Sequence, residues 1–268
     1  MEAIKIANTD LRVSRFIFGT GSLFNAGPLA KRLAVLEAAV EHGFTHFDAA
    51  PYYGFGMAER DLAHVLRKHP ALTVTTKVGI YPPGGEQQST LSILFRKAGG
   101  KVFPALSRPT VDFSLQRAQW ALEGSLRRLG RDCIDVYMLH EPLLELVNTD
   151  EWLKWLEDLC ARGRIRYFGL ALTIDRLLPF LKTKSPLADF VQTVDSLRDR
   201  EADVLPAHGK PLQITYGYVS AARAKGDMSS VADVLSRAVK RNAHGAIIVS
   251  TRQPGRMGQY RALLESGS

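Results

Sequence analysis

The feature that most narrows the fold of this 268-residue chain is an alternation of short apolar runs with amphipathic stretches. The runs are RFIFGT (15–20), THFDA (45–49), LTVTTKV (72–78), CIDVYMLH (133–140), RIRYFGLAL (164–172), DFVQTV (189–194), PLQITY (211–216) and GAIIVS (245–250). After the first, Leu29, Leu33, Leu36 and Val40 recur at helical steps until Gly43 stops them. In 114–130, Leu115, Ala118, Leu122, Leu126 and Leu129 share one face and Gly130 ends the helix. Similar spacing predicts helices over 57–69, 150–162, 174–182, 198–206, 228–242 and 254–266. Strands separated by helices pair in parallel, and eight such units at this length predict a closed (β/α)8 (TIM) barrel, one domain over 1–268. The opening EAIKIANTDLRVSR reads as a short N-terminal β-hairpin against the barrel floor. No linker, repeat or low-complexity tract interrupts the pattern.

One connection is out of proportion. Residues 80–113, with YPPGG and KAGGK, form a long loop after the third strand, on the barrel's C-terminal face where such folds carry their chemistry. Composition narrows the classes of partner. The formal charge is +8, but its lysines and arginines are scattered without the aromatic-interleaved basic stripe of a nucleic-acid binder. A basic balance also suits an anionic small ligand. No apolar run reaches the roughly 18 residues that span a membrane, and the N-terminus has no secretion signal. Cys133 and Cys160 form no CxxC pair and read as buried free thiols, which together point to the cytoplasm.

Polar residues close three adjacent strands: Asp48 the second, Lys77 the third and His140 the fourth, with Tyr53 in the loop after Asp48. Singly each has a structural reading, as turn former, solvated strand end or satisfied histidine. Together they suit one reaction. A hydride delivered to a carbonyl leaves an alkoxide that needs a proton, and a tyrosine hydroxyl can supply it. Its ordinary pKa is near 10, so bringing it near neutrality takes about 4 kcal/mol of bias toward phenolate. An adjacent lysine ammonium supplies much of that bias, an aspartate holds the lysine charged, and a histidine steers the carbonyl oxygen. No metal is required.

The blocks FDAAPYYG, TTKVG and IDVYMLHEP resemble the signature segments of the aldo-keto reductases, NAD(P)-dependent barrel oxidoreductases, and GSLRRLGRDCIDVYMLH is similar to the family's helix leading into the fourth strand. PYYGFG and the long third loop resemble the bacterial sugar and pyridoxal dehydrogenase branch. The resemblance covers nearly the whole chain and implies a catalytic tetrad of Asp48, Tyr53, Lys77 and His140. Tyr52 is the rival phenol, but the five-residue spacing from Asp48 favours Tyr53.

The resemblance also implies a nicotinamide cofactor in the barrel mouth, NADP (NADPH), with NAD left open. No GxGxxG follows a strand, so the site is not of Rossmann type. Gly19 and Thr20 end the first strand, Gln192 matches the carboxamide-binding glutamine, and Tyr216 matches the aromatic that stacks on the ring. Ser250 and Thr251 offer hydroxyls to a 2′-phosphate, and Arg252 or Arg256 a clamp, with Arg256 the closer match by spacing. Two places depart. Ala171 and Leu172 stand where the family carries a Ser-Asn pair on the carboxamide, a loss of about a few kcal/mol in orientation. GYVSAARAKG replaces the usual segment after the seventh strand, so Arg223 or Lys225 would have to serve the pyrophosphate. The chain also ends at Ser268, so the family's C-terminal pocket loop is expected to be missing and 80–113 to take its role.

The reading is therefore an NADP-dependent carbonyl reductase or alcohol dehydrogenase acting on a small aldehyde or ketone. The alternative is a non-catalytic or ligand-sensing barrel with an impaired cofactor site. A metal hydrolase using His46, Asp48 and His140 is disfavoured, because His46 two residues before Asp48 lies a layer deeper in the barrel. Substrate identity, direction and oligomeric state, a monomer included, stay open.

Overall fold

The computed structural model describes residues 1–86, 88–100 and 106–265. Its strands are β1 (Ala3–Lys5), β2 (Arg12–Ser14), β3 (Phe16–Gly19), β4 (His46–Asp48), β5 (Thr73–Val78), β6 (Ile80–Tyr81), β7 (Thr110–Val111), β8 (Ile134–His140), β9 (Ile165–Leu172), β10 (Val191–Val194), β11 (Ile214–Tyr216) and β12 (Ala246–Val249). Eight of them close a parallel barrel in the order β10-β11-β12-β3-β4-β5-β8-β9. The helices are α1 (Leu29–Glu41), α2 (Met57–Lys68), α3 (Thr90–Gly99), α4 (Leu115–Leu129), α5 (Thr149–Ala161), α6 (Ile174–Lys182), α7 (Val204–Ala207), α8 (Tyr218–Ala224), α9 (Val231–Arg241) and α10 (Met257–Glu265).

The period of two along each strand sorts the core into two layers. Phe16, Phe18, Tyr137, Leu139, Leu170 and Leu172 belong to the layer between barrel and helices. Their neighbours Ile17, Val136, Met138 and Ala171 belong to the second layer, with Ile214 and Ala246. Hairpin residues Ile6, Leu11 and Val13 join that second layer, and β1 pairs antiparallel with β2. Strands approach closely at Gly169, where any Cβ would stand 2.0 Å from the Phe190 carbonyl oxygen. On the same parity as Asp48, His46 is fully buried and its two ring nitrogens meet the Thr73 and Thr75 hydroxyls at 2.7 and 2.8 Å. Burial, and then the Lys77 charge, push its pKa down to about 3, so the ring is neutral.

Four local expectations change. The 198–206 helix is two short pieces, a turn at Glu201–Asp203 and the one-turn α7, because Asp195 and Ser196 side chains bind the backbone and side chains of 199–202 in place of a helical ladder. After Tyr216, Gly217 (φ 101) opens α8, a helix the unusual segment did not suggest. The long connection carries structure of its own, the antiparallel pair β6–β7 and α3, while residue 87 and residues 101–105 lie outside the described residues. Cys133 and Cys160 are free but half-buried rather than buried, each thiol donating to a backbone carbonyl. Among the described residues no helix is long and apolar enough to cross a membrane, and no group of three or more His, Cys, Asp or Glu is set to hold a metal.

Candidate active site

The site is assembled where β4, β5 and β8 end. The β3 end is tied to it by Thr20, whose amide and hydroxyl both donate to the Asp48 carbonyl oxygen, at 2.9 and 2.8 Å. The turn after β4 is unusual. Gly54, Phe55 and Gly56 all have positive φ (61, 57 and 83), and only the two glycines reach that region without strain. Phe55 is held there by packing against Met57 and Ile93, with the Tyr52 ring 5.8 Å away. This turn aims Tyr53 and Tyr52 differently. Tyr53 lines a cavity of about 260 Å³, whereas the Tyr52 hydroxyl donates to the Ser107 carbonyl at 3.3 Å.

Lys77 is fully buried and its ammonium is the hub. Nζ donates to Asp48 Oδ1 at 2.7 Å, to the Ala49 carbonyl at 2.9 Å and to the Tyr53 hydroxyl at 3.2 Å. The His140 ring meets the Tyr53 ring edge-on, centroids 5.9 Å apart and planes at 86°. Burial alone would push the Lys77 pKa down, but Asp48 and Tyr53 outweigh it and the ammonium stays charged, its pKa raised. His140 is held well below the usual imidazole range by burial and by the Lys77 charge, so it is neutral, and its Nδ1 is buried without a partner among the described residues.

One expectation is corrected. Lys77 does not bring Tyr53 toward neutrality. Burial raises the phenol, the opposing pull of Lys77 is the smaller effect, and Asp48 partly cancels it. Ionising the phenol would strand a second anion beside Asp48 in a site with one ammonium, so the hydroxyl keeps its proton and has one to give.

The same cavity is lined by Gly19, Ala171, Gln192, Tyr216 and Ser250. In register His140 pairs with Ala171 and Ala171 with Gln192, so the three stand side by side across β8, β9 and β10. Gln192 is buried and its Oε1 has no partner among the described residues. Leu172 belongs instead to the layer under the helices. The hollow continues through Gly217, Ser220, Ile248 and Ser250 to Arg223 and Arg256, and then to Thr251 and Arg252. Of the predicted tetrad, nicotinamide and 2′-phosphate residues, Thr20 alone is outside this groove's lining among the described residues, its hydroxyl being spent on the Asp48 carbonyl. Of the two cations offered for a pyrophosphate, Arg223 lines the groove, while Lys225 lies 3.5 Å from Asp199 in a separate hollow. The groove thus offers a buried amide, an aromatic ring, hydroxyls and three arginines in sequence, a fit for an extended anionic dinucleotide.

Six residues lining the tetrad cavity were not singled out from the sequence: Gly21, Ser22, Glu141, Gly217, Ser220 and Ile248. Glu141 follows His140 directly, and that adjacency was the available signal.

The sequence model described as the Aldo/keto reductase family matches residues 15–206. "Aldo-keto reductase YhdN" of Bacillus subtilis (strain 168) is 29% identical over 227 residues, covering 80% of this chain and 60% of that protein. "NADH-specific methylglyoxal reductase" of Escherichia coli (strain K12) is 30% identical over 221 residues, 77% of this chain and 63% of that one. The chain therefore spans about three-fifths of the length of these relatives. The solved structure of an aldo-keto reductase from Klebsiella pneumoniae in complex with NADPH has the same fold, with TM-score 0.66 and 20% identity over 98% of this chain and 90% of that one.

Proposed function

The chain belongs to the aldo/keto reductase family, and from that premise we propose that it is an NADP-dependent oxidoreductase of small aldehydes or ketones and the matching alcohols. The observation that carries this is the Lys77 ammonium bonded at once to Asp48 Oδ1 and to the Tyr53 hydroxyl, in a cavity that also holds His140 and Gln192.

In this reading the cofactor supplies the hydride, and the chain's residues bind, orient and move the proton. The carbonyl oxygen lies between the Tyr53 hydroxyl and the neutral His140 ring, and both donate to it. As negative charge grows on that oxygen, the Tyr53 proton crosses to it, and the phenolate left behind is stabilised by Lys77 at 3.2 Å. Asp48 keeps the ammonium charged and aimed. Gln192 offers an unpartnered acceptor to a carboxamide, and Tyr216 a flat face to the ring. Arg223 and Arg256 meet phosphates, and Arg256, with the Ser250 and Thr251 hydroxyls, favours a 2′-phosphate. We assign the protein to the cytoplasm, with small-molecule substrates and no nucleic-acid or membrane partner.

The test is a fluorescence titration of the purified protein with NADPH and, separately, NADH. Saturable NADPH binding tighter than NADH supports the reading. Binding of neither overturns it and favours a ligand-sensing barrel in which the loss of hydrogen-bonding side chains at Ala171 and Leu172 has disabled the cofactor site.

A further inference from the structure

Glu141 is the one carboxylate besides Asp48 among the residues lining the tetrad cavity, and the proton chemistry does not use it. It stands one residue beyond His140, the last residue of β8, and so one step closer to the mouth. Its backbone is left-handed (φ 51), a conformation that a non-glycine side chain keeps only when its surroundings hold it. They do so from three sides. Its amide donates to the Ala171 carbonyl at 2.8 Å, its carbonyl accepts from Arg176, and its Oε2 accepts from the Thr173 amide and hydroxyl, both at 3.1 Å. Oε1 accepts no hydrogen bond among the described residues. A carboxylate fixed through one oxygen presents the other as a pre-aimed acceptor.

What that acceptor takes follows from its neighbours. Arg176 Nε lies 3.6 Å from Oε2 and offsets the negative charge, so a cationic ligand gains little. The cavity is otherwise lined by the mutually paired Lys77 and Asp48 and by hydroxyls, an amide and an imidazole, with apolar contact from Ala171, Ile248 and the Tyr216 ring. The carboxylate is close enough that its charge, next after burial, helps keep Tyr216 protonated, and it adds a smaller push in the same direction at Tyr53, behind burial and Asp48. It therefore lines the same cavity as the proton donor Tyr53, the His140 ring and the aromatic face of Tyr216.

We propose that Glu141 is a specificity-determining residue whose carboxylate accepts a hydrogen bond from a hydroxyl on the carbon next to the reacting carbonyl, so that the site favours neutral 2-hydroxy aldehydes and ketones over their deoxy counterparts. This rests on the oxidoreductase reading above. The small side chain of Ala171 leaves room for the hydroxyl-bearing carbon, and the Thr173–Arg176 clamp sets where the acceptor stands.

The test compares glyceraldehyde with propanal, equal in carbon number and differing in hydroxyls, as kcat/KM with NADPH for the wild type, Glu141→Ala and Glu141→Gln. NADPH affinity is measured on the same proteins. The glyceraldehyde-to-propanal ratio is expected to fall about tenfold in Glu141→Ala, the size of one lost hydrogen bond to a charged acceptor, and less in Glu141→Gln, which keeps an oxygen acceptor. Equal ratios in wild type and Glu141→Ala, or equal losses on both aldehydes, overturn the assignment. NADPH binding by a wild type that turns over neither aldehyde overturns it too, while leaving the cofactor reading standing. Absence of NADPH binding overturns the oxidoreductase reading itself.

Discussion

The Lys77 ammonium lies 3.2 Å from the Tyr53 hydroxyl, yet the Tyr53 pKa is raised, because burial of the phenol outweighs the attraction of the ammonium. Proximity to a cation and a lowered pKa are separate facts, and here the desolvation of the anion decides between them.

This sets a pH profile. A donor phenol whose pKa is above its ordinary value of 10 stays protonated through the neutral range. Carbonyl reduction should therefore be flat near neutrality and fall only on the alkaline side of pH 10. Steady-state rates across pH would show it, and a decline centred near pH 7 would contradict the assignment of Tyr53 as donor. Tyr53→Phe should lose roughly two to four orders of magnitude in turnover while NADPH affinity stays within about twofold.

Lys77→Met should destabilise the fold as well as abolish turnover. It leaves Asp48, 4% exposed, without the ammonium 2.7 Å away. Breaking a buried pair from one side costs about 3–5 kcal/mol. Urea unfolding at pH 7 measures it, and replacing both partners (Asp48→Asn with Lys77→Met) should recover part of the loss.

The outer groove should discriminate between cofactors. Arg256→Ala is expected to weaken NADPH about tenfold with little change for NADH, because the proposed role of this groove-lining arginine is to meet a phosphate only NADPH carries. Arg223→Ala should weaken both, since a pyrophosphate is common to them. Titrations of the two variants with both cofactors distinguish these patterns; equal loss of NADPH and NADH in Arg256→Ala would remove the 2′-phosphate role.

Acid should find His46. Its pKa is about 3 in the fold against about 6.5 unfolded, so its contribution is complete above pH 6.5 and is lost as pH falls toward 3. The loss reaches up to about 5 kcal/mol for this fully buried ring. Unfolding free energies from pH 7 to 4 should therefore decline, and His46→Gln, which keeps polar contacts with Thr73 and Thr75, should flatten that limb.

Gly169→Ala should unfold or severely destabilise the barrel. Its added Cβ would stand 2.0 Å from the backbone oxygen of Phe190, the residue before β10, and neither strand can retreat without breaking the ladder. Thermal denaturation by circular dichroism is the measurement; a melting temperature within a few degrees of wild type would mean that the strands separate more easily than this.

What the sequence determined by itself is what periodicity and position along a strand encode. Alternating apolar runs and amphipathic stretches sufficed for eight parallel strands and most of the helices, because burying one face imposes a period on neighbouring residues. Asp48, Lys77 and His140 were legible for the same reason: each is the polar residue closing its strand, and a barrel brings strand ends to one mouth. The segment from Asp195 to Glu201 was not, because its side chains take over backbone donors and replace a helix by short turns. Nor was the choice of Arg223 over Lys225, which depends on Asp199 meeting the lysine across another connection. Only the tertiary structure decided the state of Tyr53 and the stance of Glu141. The first follows from how much water the packed walls exclude, and the second from Thr173 and Arg176, 32 and 35 residues further along the chain. Desolvation and hydrogen bonds between distant segments exist only once the barrel closes, so no local pattern can carry them.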